Sequence, residues 1–190
     1  TNGPVSLGQA CCQWPGSSNG VCQAGGAGGF YLADGAYREA GTTNIDAALA
    51  ADLKRKTTYP PLVWSNAVVT TDAVLSPQAG RDTDLPDLGY HYDPIDHAVS
   101  LFTVTNALAT NGIVPPPVTL TVLPGTVIGQ FGSRGLQMEY NSRLVAEGTP
   151  TAPVRLVRYD GVQEQSIAWG GTNAFDSVAL TNANAAVVND

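Results

Sequence analysis

The side chains most able to do chemistry crowd one short stretch. Asp82, Asp84, Asp87, Asp93 and Asp96 lie close together, and both histidines of the chain, His91 and His97, stand among them. Asp82-x-Asp84-x-x-Asp87 offers three carboxylates at a loop spacing that a hard cation such as Ca2+ accepts. The run lacks the glycine and the later glutamate of an EF-hand, so it is not one. The expected cation ligands are Asp82, Asp84 and Asp87. The alternative is structural: aspartates beside Pro86 and Gly89 bind backbone N–H groups and fix turns. His91 and His97 beside Asp93 and Asp96 have the residue types for acid–base work on a sugar. No nucleophile or third element accompanies them. His91, Asp93 and His97 therefore stand as a possible ligand set, and no residue is assigned as catalytic.

Cys11, Cys12 and Cys22 are the only cysteines. Cys11 or Cys12 could bridge to Cys22, closing a loop worth roughly 2–3 kcal/mol if oxidised. The pair Cys11–Cys22 is the expected disulfide, with free thiols as the alternative. The spacing fits no zinc pattern and no histidine is near. A bridge would argue for an extracellular or periplasmic compartment. Gly-Gly-Ala-Gly-Gly at 25–29 invites a phosphate-cradle reading, but no Lys-Ser/Thr follows it. Trp14, Trp64 and Trp169 could stack on sugar rings or simply pack.

The elements that must position these groups are mostly short. Residues 1–29 read as irregular. A helix is expected over 43–56, with Thr43 or Asn44 as its cap and Asp46 in its first turn. Ile45, Leu49 and Leu53 would share one face. Tyr59-Pro60-Pro61 then stops the helix. Residues 62–80 read as short strands and turns. After Ala98, runs such as 99–105 and 118–123 look like strands, and short β-rich runs continue to the end without a helical segment.

The chain has 190 residues, 9 Lys+Arg against 16 Asp+Glu, and only 13% charged residues. Gly (21) and Pro (13) are abundant, and 43% of the chain is hydrophobic. A helical bundle would need more Glu, Lys and Leu, and a disordered acidic tail would be less apolar. A net charge of −7 argues against nucleic-acid partners. No run is long enough to insert in a membrane as a helix. Thr1 is not an initiator and no leader precedes it, so the chain is expected to be a processed or excised piece of a longer one.

Thr121-Val-Leu-Pro-Gly-Thr126 is echoed by Leu144-Val-Ala-Glu-Gly-Thr149, 23 residues on. A period in the low twenties is the length of one coil of a β-solenoid. A β-sandwich could carry the same echo.

Asp87-Leu-Gly-Tyr-His-Tyr92 resembles the Asp-x-Gly-Tyr-His-Tyr signature of large bacterial secreted or cell-surface proteins with right-handed parallel β-helix regions. Leu120–Thr126 and Leu144–Pro150 resemble the opening coils of such a helix, and Ile167-Ala-Trp-Gly-Gly171 resembles the coil that follows. Tyr31–Asp34 and Ala40–Thr43 resemble the linker before the signature. The resemblance spans 30–190. It implies a bacterial envelope or secreted setting and no particular reaction.

The expected fold is therefore mainly β: an irregular capping region with one helix and an acidic connector over 1–97, then a right-handed parallel β-helix over 98–190. The expected role is a non-catalytic extracellular structural or adhesive segment of a larger bacterial surface protein. Its expected partners are a polysaccharide or neighbouring domains of the same chain. The alternative is a carbohydrate-active or carbohydrate-binding β-helix, which would need Arg134, Arg155 and Arg158 gathered on one face with carboxylates.

Overall fold

A computed structural model describes residues 20–26, 28–106, 115–132, 134–164, 176–180 and 186–188; for 176–180 and 186–188 only the backbone is described. Among the described residues the chain is mainly β with one α-helix, and the described strands sort into one antiparallel hairpin and three parallel sheets. Two compact units result.

The first unit takes in the described residues up to Pro61, then Ala79–Ile95 and the residues from Val162 to Glu164. It opens with a hairpin where an irregular region was expected: β1 (Cys22–Gly25) pairs antiparallel with β2 (Gly28–Leu32). The glycine run supplies its turn, with Gly26 at φ +62°, a conformation glycine reaches without steric cost. The helix α1 is Ala47–Leu53, shorter than expected. Its alanines and leucines favour helix. Its N-cap is Asp46, not Thr43 or Asn44, because the Asp46 carboxylate accepts from the amides of Ala48 (2.9 Å) and Leu49 (3.2 Å). No residue of α1 is buried, and Leu49 is 49% exposed. Two turns are too short to present the continuous apolar face that the 43–56 pattern implied.

The second unit takes in Leu62–Gln78 and the described residues of 96–161 and beyond 166. Its strands are β3 (Leu62–Ser65), β4 (Val68–Val69), β5 (Ala73–Leu75), β6 (His97–Ser100), β7 (Phe102–Val104), β8 (Val118–Val122), β9 (Val127–Gln130), β10 (Arg134–Met138), β11 (Ser142–Ala146), β12 (Arg155–Arg158), β13 (Asp176–Leu180) and β14 (Ala186–Val188). The three sheets are ordered β3-β6-β9-β12, β4-β7-β10-β13 and β5-β8-β11-β14, so every third strand joins the same sheet. All the pairings are parallel. The parallel sheets thus begin at Leu62, well before the boundary expected at 97/98.

Alternation explains the core. In Val118-Thr-Leu-Thr-Val122 the three apolar side chains are buried and the two threonines half-buried. The register sets Leu120 between Ala73 and Leu144, and Val122 between Leu75 and Ala146. Phe102 pairs with Leu136, and Val104 with Met138 and Val69. These ladders form one apolar core with Val99 and Ile128. At about 25 cal/mol per Å2 of apolar surface, each fully buried Leu or Phe contributes roughly 1.5–3 kcal/mol.

One corner recurs. Asn66 (φ +53°) joins β3 to β4, Leu101 (φ +52°) joins β6 to β7, and Gly132 (φ +75°) joins β9 to β10. The left-handed conformation suits Gly and Asn and costs leucine of order 1–2 kcal/mol. A side chain at Gly132 would meet Ser100 Oγ at 2.5 Å, so this corner also needs the missing Cβ.

Candidate functional site

The acidic stretch is divided between the two units. In the first, Asp82 is the centre. Its side chain is 1% exposed. Oδ2 accepts from His91 Nε2 at 2.7 Å and from the Asp87 amide at 3.0 Å. His91 Nδ1 lies 3.1 Å from the Gly89 carbonyl, so both ring nitrogens lie within hydrogen-bond distance of an oxygen. Asp87 is spent on the chain itself: Oδ1 accepts from the Glu39 amide (2.8 Å) and Oδ2 from the Thr58 hydroxyl (2.5 Å). Asp84 is exposed, and with Asp82 it lines a cavity of about 200 Å3 beside α1.

Of the three expected cation ligands, only Asp84 and one oxygen of Asp82 therefore remain open. Among the described residues no group of three or more His, Cys, Asp or Glu is arranged to hold a metal ion. One of these bonds is local, since Asp82 satisfies the amide of Asp87 just after turn-forming Pro86.

A second cluster in the same unit was not anticipated. The Tyr31 and Tyr92 rings lie 4.3 Å apart, centroid to centroid, and Tyr90 and Tyr92 4.7 Å apart. Tyr92 donates to Glu164 Oε1 (2.9 Å) and accepts from the Phe30 amide (3.1 Å), and Gln163 donates to the Tyr31 hydroxyl. Burial drives both phenols up, Tyr92 further because its hydrogen bond to Glu164 opposes ionisation. Both remain neutral at physiological pH. Nothing in the local sequence ties residues near 30 to 163–164, which is why the cluster was missed.

In the second unit Asp96 is fully buried, and each carboxylate oxygen accepts one amide, Gln78 N at 2.9 Å and Val127 N at 2.8 Å. His97 beside it has a fixed tautomer. Trp64 Nε1–H can only donate, so His97 Nδ1 accepts it at 3.2 Å, and Nε2–H donates to the Ser76 carbonyl at 2.8 Å. Burial lowers the His97 pKa, against smaller opposing contributions from the Ser76 hydrogen bond and the Asp96 charge. Trp64, a candidate sugar platform, is instead turned edge-on to Phe102 with centroids 5.8 Å apart.

The set His91, Asp93 and His97 does not share partners. His91 holds Asp82, Asp93 pairs with Lys56 Nζ at 3.0 Å, and His97 belongs to the other unit. Arg155 and Arg158 lie on β12, Arg134 on β10 and Arg143 on β11, which are strands of three different sheets. Residues 155 and 158 are also three apart, so they face opposite sides of their strand. Cys11, Cys12, Trp14 and Trp169 lie outside the described residues, so the expected Cys11–Cys22 bridge does too. Gly16-Ser-Ser-Asn-Gly20 has the spacing of a nucleophile elbow, and it too falls almost wholly outside them.

No family model, curated protein or solved structure matches this chain. Among the described residues no helix is long and apolar enough to cross a membrane.

Proposed function

We propose that this chain is a non-catalytic structural or adhesive segment of a larger extracellular bacterial surface protein, with its three parallel sheets forming the faces of a right-handed parallel β-helix. The observation that carries the reading is the strand order: each of the three parallel sheets takes every third strand, in sequence order. A chain that visits three sheets in turn and then returns beside its own earlier strand is winding in coils. The left-handed corner at Asn66, Leu101 and Gly132 supports this, since it falls at the same step of three successive strand sets. The right hand follows from the strong preference of parallel crossovers.

Such a stack suits a stalk or spacer. Each coil buries its apolar side chains only against its neighbours, so length adds rigidity without a larger core. The surface setting rests on the resemblance of Asp87–Tyr92, Leu120–Thr126 and Leu144–Pro150 to bacterial surface proteins. Polysaccharide or adjoining domains are the partners this setting supplies.

The test has two arms. Antibody against the chain should label intact producing cells without permeabilisation, and the purified chain should release no reducing ends from pectate, alginate or xylan. Labelling only after permeabilisation would overturn the surface role, and steady release of reducing ends would overturn the non-catalytic one.

A further inference from the structure

The first strand of each parallel sheet leaves one edge open. β3, β4 and β5 pair with β6, β7 and β8, and among the described residues no strand pairs with their other side. Along a parallel strand, alternate residues send their N–H and C=O to opposite sides. The amides of Leu62 and Asn66 donate to the carbonyls of Asp96 and Ser100. The carbonyls of Ala67 and Val69 accept from Thr103 and Thr105, and that of Leu75 from Leu123. The N–H and C=O groups of Val63, Val68 and Val74 therefore face the open side. Their side chains are open as well, 53%, 62% and 61% exposed. Leu62 and Trp64 share the face of the core residue Val99, yet both remain exposed.

Natural sheet edges are commonly blunted by lysine or proline. Residues 62–76 contain neither, and their one charge, Asp72, accepts the Thr119 amide of β8 at 2.8 Å. An extended peptide could lengthen only one of the three sheets. Covering three edges that turn two corners takes another three-sided end, and a second copy of this chain supplies one. A 180° rotation about an axis through Val63 and the turn at Thr71 sets β3 antiparallel to its own copy and β4 antiparallel to the partner's β5. Val63 then faces the partner's Val63, and Val68 faces the partner's Val74. These are the residues whose amides and carbonyls are open, so each pair exchanges two hydrogen bonds. On the inner face the same register sets Leu62 against the partner's Trp64 and Ala67 against the partner's Leu75, apolar on apolar throughout.

We propose that the chain forms a two-fold symmetric dimer through the β3, β4 and β5 edges, with Val63 on the axis and Val68 against the partner's Val74. It rests on the stacked reading, which puts the three edges at one open end. The stretch 62–76 supplies about 15 residues a side against the roughly 20–30 of a standard interface, which places the dissociation constant in the micromolar range.

Sedimentation equilibrium on the full chain tests it, and a reversible monomer–dimer equilibrium is expected. Val63→Pro removes an N–H that faces the open side, where an edge strand tolerates proline. Val68→Lys puts a charge on the same edge. Each should weaken the dimer at least tenfold with an unchanged far-UV circular dichroism spectrum. Val68→Lys combined with Val74→Glu sets opposite charges across the interface and should restore the dimer, whereas Val68→Lys with Val74→Lys should not. A chain still monomeric at ~1 mM would overturn the proposal. So would a dimer that both single variants leave intact, or a charge pair that restores nothing. Growth beyond two copies would replace the two-fold with head-to-tail assembly and overturn it too. A monomer in which Ala98→Cys and Gly129→Cys still cross-link within the chain would sink the dimer and spare the stack, and loss of both would sink the stack as well.

Discussion

At the scale of single residues, the aspartates of 82–96 act mainly as acceptors for the chain's own donors. Asp96 is the extreme case, fully buried with both oxygens on backbone amides of separate segments. Asp96→Ala strands two buried N–H groups, and the expected cost is about 2–4 kcal/mol, measured by urea denaturation. Asp93→Ala removes only an exposed pair with Lys56 and should cost about 1 kcal/mol or less. His97 carries a pH signature. Its pKa is lowered in the fold, so the folded state takes up the proton less readily than the unfolded chain. Stability from this group is full above about pH 6.5 and is lost as pH falls below that value, by at most about 1.4 kcal/mol per pH unit. Protonation would set Nδ1–H against the Trp64 N–H. His97→Gln keeps an acceptor for Trp64 and a donor for Ser76 without titrating. The wild type should therefore lose more stability than His97→Gln between pH 7.5 and 5.5; equal losses would place the pH dependence elsewhere. The residue types of this segment were legible in the sequence. Their partners were not, because Glu39, Thr58, Gln78 and Val127 are distant in the chain and carry no local mark.

At the scale of elements, alternation in 118–122 correctly marks a strand and its buried face. Leu120 is fully buried between ladder neighbours, so Leu120→Ala should destabilise by about 2–5 kcal/mol, while half-buried Thr121→Ala should cost under about 1 kcal/mol. The internal echo misleads by one residue. It sets Thr121 against Leu144, whereas the strands pair Leu120 with Leu144 and Thr121 with Val145. A one-residue slip exchanges the two faces of a strand, so apolar burial decides the register against the Gly-Thr match. The odd residue lies between strand and glycine: Leu123 and Pro124 separate Val122 from Gly125, whereas Glu147 alone separates Ala146 from Gly148. The corners were hidden for another reason. Asn66 and Gly132 are ordinary turn residues, but Leu101 at φ +52° is held there by its neighbours and not by its own preference. The hairpin β1–β2 was read as irregular because its glycines hide the strand alternation. The helix was overdrawn because Asp46, read as a first-turn residue, is the cap itself.

At the scale of the whole molecule, the two units are drawn from interleaved stretches, with 79–95 leaving the strand-rich chain between β5 and β6. Composition foreshadowed this division: 62–78 is rich in Val and Thr like the residues after 98, and 82–96 is rich in Asp. The central claim is that successive strand sets stack in parallel and in one register. One measurement tests it in all three sheets at once. In a chain whose Cys11, Cys12 and Cys22 are replaced by serine, paired cysteines are introduced at Ala98 with Gly129, Thr103 with Gln137, and Thr119 with Arg143, the observed partners across each sheet. Neighbouring parallel strands lie about 4.8 Å apart, within disulfide reach. Each pair should oxidise within a single chain, and Thr119 paired with Ser142, the register of the echo, should not. Failure of the three observed pairs, or efficient closure of the Thr119–Ser142 pair in their place, would contradict the stack.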